Sequence, residues 1–218
     1  MRNIRAVLFD MDGLLLDTES LNMQVTVELA QEMGITVDRQ FVARNVFGKR
    51  RAEVVAAYAA ALPDGVDVPK FYEEKNRRLR ERIEQGIEAK KGALELLTWL
   101  TQRGIPCVLA TATAGDLAEK RLRSTGLWEL LPLRVTGDMT VNGKPHPETY
   151  LRAAELAGIH PSECLVLEDS FNGIRAGRAA GAVVGMVPDL VPYDETCAPY
   201  CDAVFEDLSQ VMDWLCKD

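Results

Sequence analysis

The stretch Ile4-Arg5-Ala6-Val7-Leu8-Phe9-Asp10-Met11-Asp12-Gly13 decides the fold. An apolar run stops at two carboxylates, one residue apart, and then a glycine. A strand covered on both faces reads as such a continuous apolar run. In an open α/β sheet, ligands bind in the crevice outside the carboxyl ends of the strands. Two acids at that position repel each other unless a cation or a proton offsets them. Oxygen ligands suit a hard cation such as Mg²⁺. A carboxylate there is also placed to attack a phosphoryl group.

Working outward, the same strand grammar recurs. Candidate strands are Ala6–Asp10, Pro106–Thr111, Leu133–Thr136, Cys164–Glu168, Val183–Val187 and Ala203–Phe205. Helical patterns separate the later ones: Ala93–Arg103, Asp116–Ser124, Pro147–Ala157, Gly173–Ala180 and Leu208–Cys216. Alternation of this kind predicts an α/β fold, a Rossmann-like parallel sheet with helices on both faces. Gly104, Gly126, Gly158 and Gly181 each follow a helical run and fit the left-handed closing position. Pro147 fits the first helical turn.

The region from Asp17 to Lys90 breaks the rhythm. It reads as helices without strands: Glu19–Met33, Asp38–Phe47, Arg51–Ala61 and Pro69–Gln85. The expected organisation is therefore an α/β core, residues 1–16 and 91–218, with an inserted all-helical domain, residues 17–90. Charged runs such as Glu73-Glu74-Lys75-Asn76-Arg77-Arg78 read mainly as a solvated helix face.

Composition narrows the classes. The chain has 218 residues and a formal net charge of -8, which argues against a nucleic-acid partner. Five cysteines with no secretory segment read as reduced thiols in a cytoplasmic protein. Cys107 and Cys164 lie in apolar runs and are expected in the core, and Cys197 with Cys201 lacks the partners of a zinc site. No apolar stretch is long enough to span a bilayer, so no membrane partner is expected, and the chain is read as a monomer.

Four sets of polar residues end predicted strands or open a helix: Asp10 with Asp12, Thr111 with Ala112 and Thr113, Lys144, and Glu168 with Asp169. Singly each has a plainer reading. Asp10 and Asp12 fit turn acids, Thr111 a strand-end residue, Lys144 a surface lysine, and Glu168-Asp169 a helix N-terminus. Parallel strands bring their carboxyl ends to one edge, so the sets can converge. Together they suit phosphoryl transfer, which depends on positioning and charge stabilisation. Asp10 is the candidate nucleophile, and Asp12 the group that protonates the leaving oxygen and then activates water. Thr111 and neighbouring backbone N–H groups hold phosphoryl oxygens. Lys144 offsets charge, and Asp169 and the Asp12 carbonyl add oxygen ligands for Mg²⁺.

These residues resemble a known family. Asp10-Met11-Asp12-Gly13-Leu14-Leu15-Leu16-Asp17-Thr18-Glu19 is similar to the first signature of the haloacid dehalogenase superfamily. Leu109-Ala110-Thr111-Ala112-Thr113 resembles the second, and Lys144-Pro145-His146-Pro147-Glu148 the third. Glu168-Asp169-Ser170 with Gly173-Ile174 and Ala176-Gly177 resembles the fourth. The order and spacing cover nearly the whole chain. The most similar branch carries a helical cap after the first strand and holds β-phosphoglucomutase-like enzymes and sugar-phosphate phosphatases.

The resemblance implies that Asp10 becomes a phosphoaspartate and that Asp12 is the general acid/base. It implies phosphate binding at Thr111 and Ala112, and neutralisation by Lys144. It implies a Mg²⁺ site at Asp10, the Asp12 carbonyl and Asp169, with Glu168 a ligand directly or through water. Thr113 joins the substrate-binding candidates. In the cap they are Glu19, Asn22, Gly48, Lys49, Arg51, Lys75 and Asn76. The branch's mutases carry a histidine where Asn22 stands, whereas Arg51 matches the cap arginine that holds a second phosphate. The implied activity is a Mg²⁺-dependent phosphatase acting on a small phosphorylated metabolite, a sugar phosphate by class. The alternatives are a β-phosphoglucomutase-like phosphotransferase and a non-catalytic module that binds a phosphorylated ligand. His160 reads as a loop surface residue. His146 reads either as lining the entrance or as a local helix cap.

Overall fold

The computed structural model describes residues 3–46 and 51–217, so the candidates Gly48 and Lys49 lie outside the described residues. In chain order, β1 (Ala6–Phe9) is followed by four helices, α1 (Thr18–Glu32), α2 (Arg39–Asn45), α3 (Arg51–Ala61) and α4 (Val68–Gln85). Then come α5 (Ala93–Gln102), β2 (Cys107–Ala110), α6 (Gly115–Ser124), β3 (Leu133–Val135), α7 (Glu148–Ala157) and β4 (Cys164–Glu168). The chain closes with α8 (Phe171–Ala179), β5 (Val183–Met186), β6 (Ala203–Val204) and α9 (Ser209–Cys216).

The six strands form one sheet in the order β3-β2-β1-β4-β5-β6, and every pairing is parallel. The first strand is central, with Val7 opposite both Cys107 and Leu165. This is the Rossmann-like arrangement expected from the alternation of strands and helices. Its cause is visible in burial: β1, β2 and β4 are buried at every position. Ala6, Leu8, Val108, Ala110, Cys164 and Val166 pack into one apolar cluster with Tyr150, Ala153 and Ala154 of α7 and Ile174 and Ala176 of α8. The alternate residues Val7, Phe9, Leu109, Leu165 and Leu167 are equally buried. Both faces are therefore dry, and a parallel strand requires that.

Tertiary contacts divide the chain into two compact units, Met1–Asp17 with Glu88–Asp218, and Thr18–Ile87. Asp17 and residues 88–90, read from sequence as part of the helical insertion, thus belong to the sheet-bearing unit. The reason is backbone pairing of the two connecting segments. Asp17 N donates to Glu88 O at 3.0 Å, Lys90 N donates to Leu15 O at 2.9 Å, and Leu16 bridges Ala89. Lys90 Nζ then reaches Asp189 at 2.6 Å, just past β5.

Helix ends follow their caps. Gly104, Gly126, Gly158 and Gly181 all have positive φ after the helices they close, as expected. Pro147 sits at the N-cap of α7 and not in its first turn. His146 Nδ1 accepts from Glu148 N at 3.3 Å, so its local capping contact is real. The helix read as Gly173–Ala180 begins earlier, at Phe171, because the Ser170 hydroxyl accepts from Gly173 N at 3.1 Å and fixes the start.

Among the described residues the second unit contains four helices. Tyr58 and Phe71 meet edge to face with centroids 5.2 Å apart, and both are buried. Arg78 and Arg82 of α4 pair with Glu32 and Glu28 of α1 at 2.7 and 2.8 Å. Lys75 is 3% exposed, an unusual burial for an ammonium, and Nζ donates to Asn22 Oδ1 at 2.9 Å.

Candidate active site

The strand tips bring five of the candidates together. Asp10 follows β1 and is fixed by its N–H donating to Leu167 O of β4 at 3.1 Å. Thr111 follows β2, with its N–H donating to Val135 O of β3 at 3.0 Å. Glu168 ends β4, Asp169 follows it, and Lys144 enters from the loop before α7. All five lie in the sheet-bearing unit.

Lys144 is the hub. Its Nζ donates to Asp10 Oδ1 at 2.5 Å, Glu168 Oε1 at 2.5 Å and Ala110 O at 3.2 Å. Its side chain is 10% exposed, so these charges are screened little by water. Burial pushes the Asp10 carboxyl up to about 7, Lys144 opposes that, and the neighbouring Glu168 and Asp12 carboxylates add to it. Burial pulls the Lys144 ammonium down, but Asp10 and Glu168 outweigh it and hold it well above the usual lysine value.

Glu168 is fully buried and collects donors on both oxygens. Tyr150 Oη donates to Oε1 at 2.6 Å, alongside Lys144. Ser170 N and Oγ donate to Oε2 at 3.2 and 3.0 Å. A buried polar group needs such partners to offset its lost hydration. The carboxylate oxygens of Asp10, Glu168 and Asp169 offer a ligand set whose atoms lie within 4.8 Å of one another. Lys144 brings one positive charge to two of these three carboxyl groups, so they leave the cluster rich in negative charge. Hard oxygen donors with that excess fit a divalent cation of the Mg²⁺ type.

Asp12 stands beside this cluster with its side chain 28% exposed. Thr113 Oγ1 donates to its Oδ2 at 2.6 Å, and Arg121 Nη1 of α6 donates to its Oδ1 at 2.8 Å. Thr113 N donates to Thr111 Oγ1 at 3.1 Å. Ala112 is exposed between them. Its carbonyl is approached by Gly137, where an added Cβ would sit 2.0 Å from that oxygen, so this loop seats only against glycine.

The remaining candidates belong to the helical unit. Asn22 and Lys75 are hydrogen-bonded to each other, and Glu19 acts electrostatically on Lys75. Burial drives the Lys75 ammonium down to about 8 despite Glu19. Arg51 is exposed, 3.7 Å from Glu73 and over the Tyr72 ring at 5.5 Å. Asn76 is half-buried. His160 is exposed in its loop. The sequence singled out neither Arg121 nor Tyr150. Neither falls within one of the four signatures, and only the strand-tip geometry reveals it.

Comparison with known proteins places relatives over most of the chain. The family model for haloacid dehalogenase-like hydrolase matches residues 4–181. A Drosophila melanogaster protein named a probable pseudouridine-5'-phosphatase is 35% identical over 87% of this chain and 84% of its own length. The phosphorylated carbohydrates phosphatase of Thermotoga maritima is 32% identical, over 86% of this chain and 87% of its own. A solved haloacid dehalogenase family hydrolase from Deinococcus radiodurans R1, holding phosphate and sodium, has a TM-score of 0.81. It is 29% identical and covers 99% of this chain and 96% of its own.

Proposed function

The chain belongs to the haloacid dehalogenase-like hydrolases, and from that premise we propose that it is a Mg²⁺-dependent phosphatase of a small phosphorylated metabolite, by class a sugar phosphate. The observation that carries the reading is the position of Lys144 Nζ, 2.5 Å from both Asp10 and Glu168 at one sheet edge. Such a cation holds a carboxylate nucleophile and an incoming phosphate in one place. Named relatives support the substrate class: the two described above act, by their names, on pseudouridine-5'-phosphate and phosphorylated carbohydrates.

In this reading an Asp10 oxygen forms a bond to phosphorus as the bond from phosphorus to the leaving alcohol breaks. Asp12 gives its proton to that alcohol oxygen. Water then attacks the phosphoaspartate, Asp12 takes a proton from it, and phosphate departs with Asp10 restored. Thr111, Ala112 and Thr113 hold phosphoryl oxygens, and Lys144 offsets their charge. Asp10, Asp169, the Asp12 carbonyl and Glu168 are the groups that would hold Mg²⁺. When bound, the ion would neutralise charge shared by nucleophile and phosphate. Because Glu168 already accepts from Lys144, Tyr150 and Ser170, its part is best read as through water.

Substrate choice is assigned to the helical unit, as a cap, with Glu19, Asn22, Arg51, Lys75 and Asn76 as candidates. The Asn22 amide neither gains nor gives up a proton at neutral pH, so it cannot serve as the acid/base that a histidine would be there, which favours hydrolysis over mutase chemistry. The soluble monomer in the cytoplasm is part of the same proposal. Among the described residues no helix is long and apolar enough to cross a membrane. The test is a phosphate-release screen over sugar phosphates and nucleotides, with and without Mg²⁺. Metal-dependent release from sugar phosphates is the expected result. Interconversion of glucose phosphates with little phosphate released would give the mutase instead. Tight binding without turnover would give a binding module.

A further inference from the structure

We infer that Arg121 is the positioning residue for the Asp12 carboxylate, working with Thr113 to aim it at the leaving-group oxygen. The inference rests on the proposed acid role of Asp12. Both Asp12 oxygens are held: Oδ1 by Arg121 Nη1 at 2.8 Å and Oδ2 by Thr113 Oγ1 at 2.6 Å. A carboxylate held at both oxygens has its plane fixed, whereas a single donor leaves it free to rotate about that contact. The pair is partly buried, with Arg121 at 15% and Asp12 at 28% side-chain exposure, so it is less screened than a surface ion pair.

Arg121 can impose this geometry because its helix is itself anchored. The first turn of α6 is pinned where Gly115 N donates to Asp138 Oδ1 at 2.8 Å, and Thr136 Oγ1 donates to the same oxygen at 2.8 Å. Thr113 is equally constrained, since its N–H donates to Thr111 Oγ1 and its carbonyl accepts from Gly137 N at 2.9 Å. The chain Thr111, Thr113, Asp12, Arg121 thus ties the phosphate seat to the proton carrier. Small errors in such alignment are costly in rate. Within this chain, the proton on Asp12 has one destination in the first half-reaction, the oxygen released when its bond to phosphorus breaks.

The consequence is selectivity by leaving group. An alkoxide must be protonated as it departs; p-nitrophenolate leaves without help. The parameter kcat/KM reports steps only as far as release of the leaving group, so it isolates this half-reaction. In Arg121→Gln, kcat/KM should fall about 10- to 100-fold for the best hexose, pentose or hexitol phosphate. For p-nitrophenyl phosphate it should fall by less than about threefold, since little proton transfer is needed. Arg121→Lys provides an independent reading of the same ratio should Arg121→Gln fold poorly. Arg121→Lys should recover part of the alkyl loss, because the contact is made by one nitrogen. An equal fall on both substrates, or none on either, would overturn the inference. Asp12→Asn in the same assay separates the two levels. Selective alkyl loss there with none in the Arg121 variants sinks only the positioning role. Equal loss there sinks the acid role beneath it.

Discussion

Gly173 packs so tightly on Glu168 that a Cβ added to it would sit 1.8 Å from the Glu168 Cδ. The first turn of α8 therefore forms one wall of the carboxylate's seat, and through Glu168 it sets the position of Lys144. Gly173→Ala must displace Glu168. The expected result is a loss of about 10²-fold in kcat, the scale of a misplacement near 1 Å. Overpacking should cost about 1–3 kcal/mol of stability. Turnover and a denaturant midpoint measured together check it, and full activity in a folded variant would refute it.

Asp10→Asn should abolish phosphate release, by about 10³-fold or more, as removal of a nucleophile does. The variant should remain folded by circular dichroism, because the asparagine oxygen still accepts from Lys144. Acid-stable trapping of a phosphorylated protein should succeed with the wild type under turnover and fail with the variant. Residual turnover near wild type would remove Asp10 from the nucleophile role.

Chelation should silence the enzyme reversibly. Three clustered carboxylates beside one ammonium leave negative charge that an incoming phosphate would meet. EDTA followed by desalting should bring activity to background, and Mg²⁺ should restore it, with Ca²⁺ restoring less because its looser coordination fits the small site poorly. Full activity after chelation would be incompatible with the proposed mechanism.

Lys90→Met should destabilise the sheet-bearing unit. Lys90 Nζ is 2.6 Å from Asp189, whose side chain is 8% exposed, and the substitution leaves that carboxylate without its cation. The expected cost is about 2 kcal/mol, or a fall of roughly 4–8 °C in Tm for a protein of this size. Differential scanning calorimetry reads it directly. An unchanged Tm would show that the pair contributes nothing to stability.

Lys75 gives the stability of this protein a defined pH slope. Burial lowers its folded pKa to about 8, against an ordinary lysine value near 10.5 when unfolded. Below pH 8 both states are protonated, and the fold carries the full penalty of a buried ammonium. Between about 8 and 10.5 the unfolded state binds more protons, so this group's contribution to stability rises with pH. The wild type should therefore gain on Lys75→Met between pH 7.5 and pH 9.5 in denaturant midpoints. A constant or shrinking difference would show that the ammonium is not desolvated.

Much of this site was legible in the sequence, for a specific reason. Asp10, Thr111 and Glu168-Asp169 each sit directly after an apolar run, and parallel strands leave their carboxyl ends together. Order along the chain therefore sufficed to place them on one edge. Arg121 and Tyr150 had no such marker. Each is one residue on an amphipathic helix, and what brings it to Asp12 or Glu168 is helix rotation and docking, which periodicity does not encode. The starts of α3 at Arg51 and α5 at Ala93 were legible from the pattern alone, but that of α8 was not. Ser170 fixes α8 at Phe171, and the sequence pattern saw only its later turns. The division between units likewise depends on backbone bonds between Leu15–Asp17 and residues 88–90, which no side-chain pattern announces.

The central place of β1 has a consequence for how the protein comes into being. Val7 pairs with Cys107 on one side and Leu165 on the other, so the strand that carries Asp10 waits for partners made much later in the chain. Closing such distant contacts is slow, because the loop entropy is spent before the pairing returns it. During synthesis the first strand emerges early, meets β2 first, and lacks its second neighbour until β4 has left the ribosome. No amino-terminal fragment ending before Glu168 can contain the assembled cluster, and recovered activity after refolding becomes a clock for the β1–β4 pairing itself.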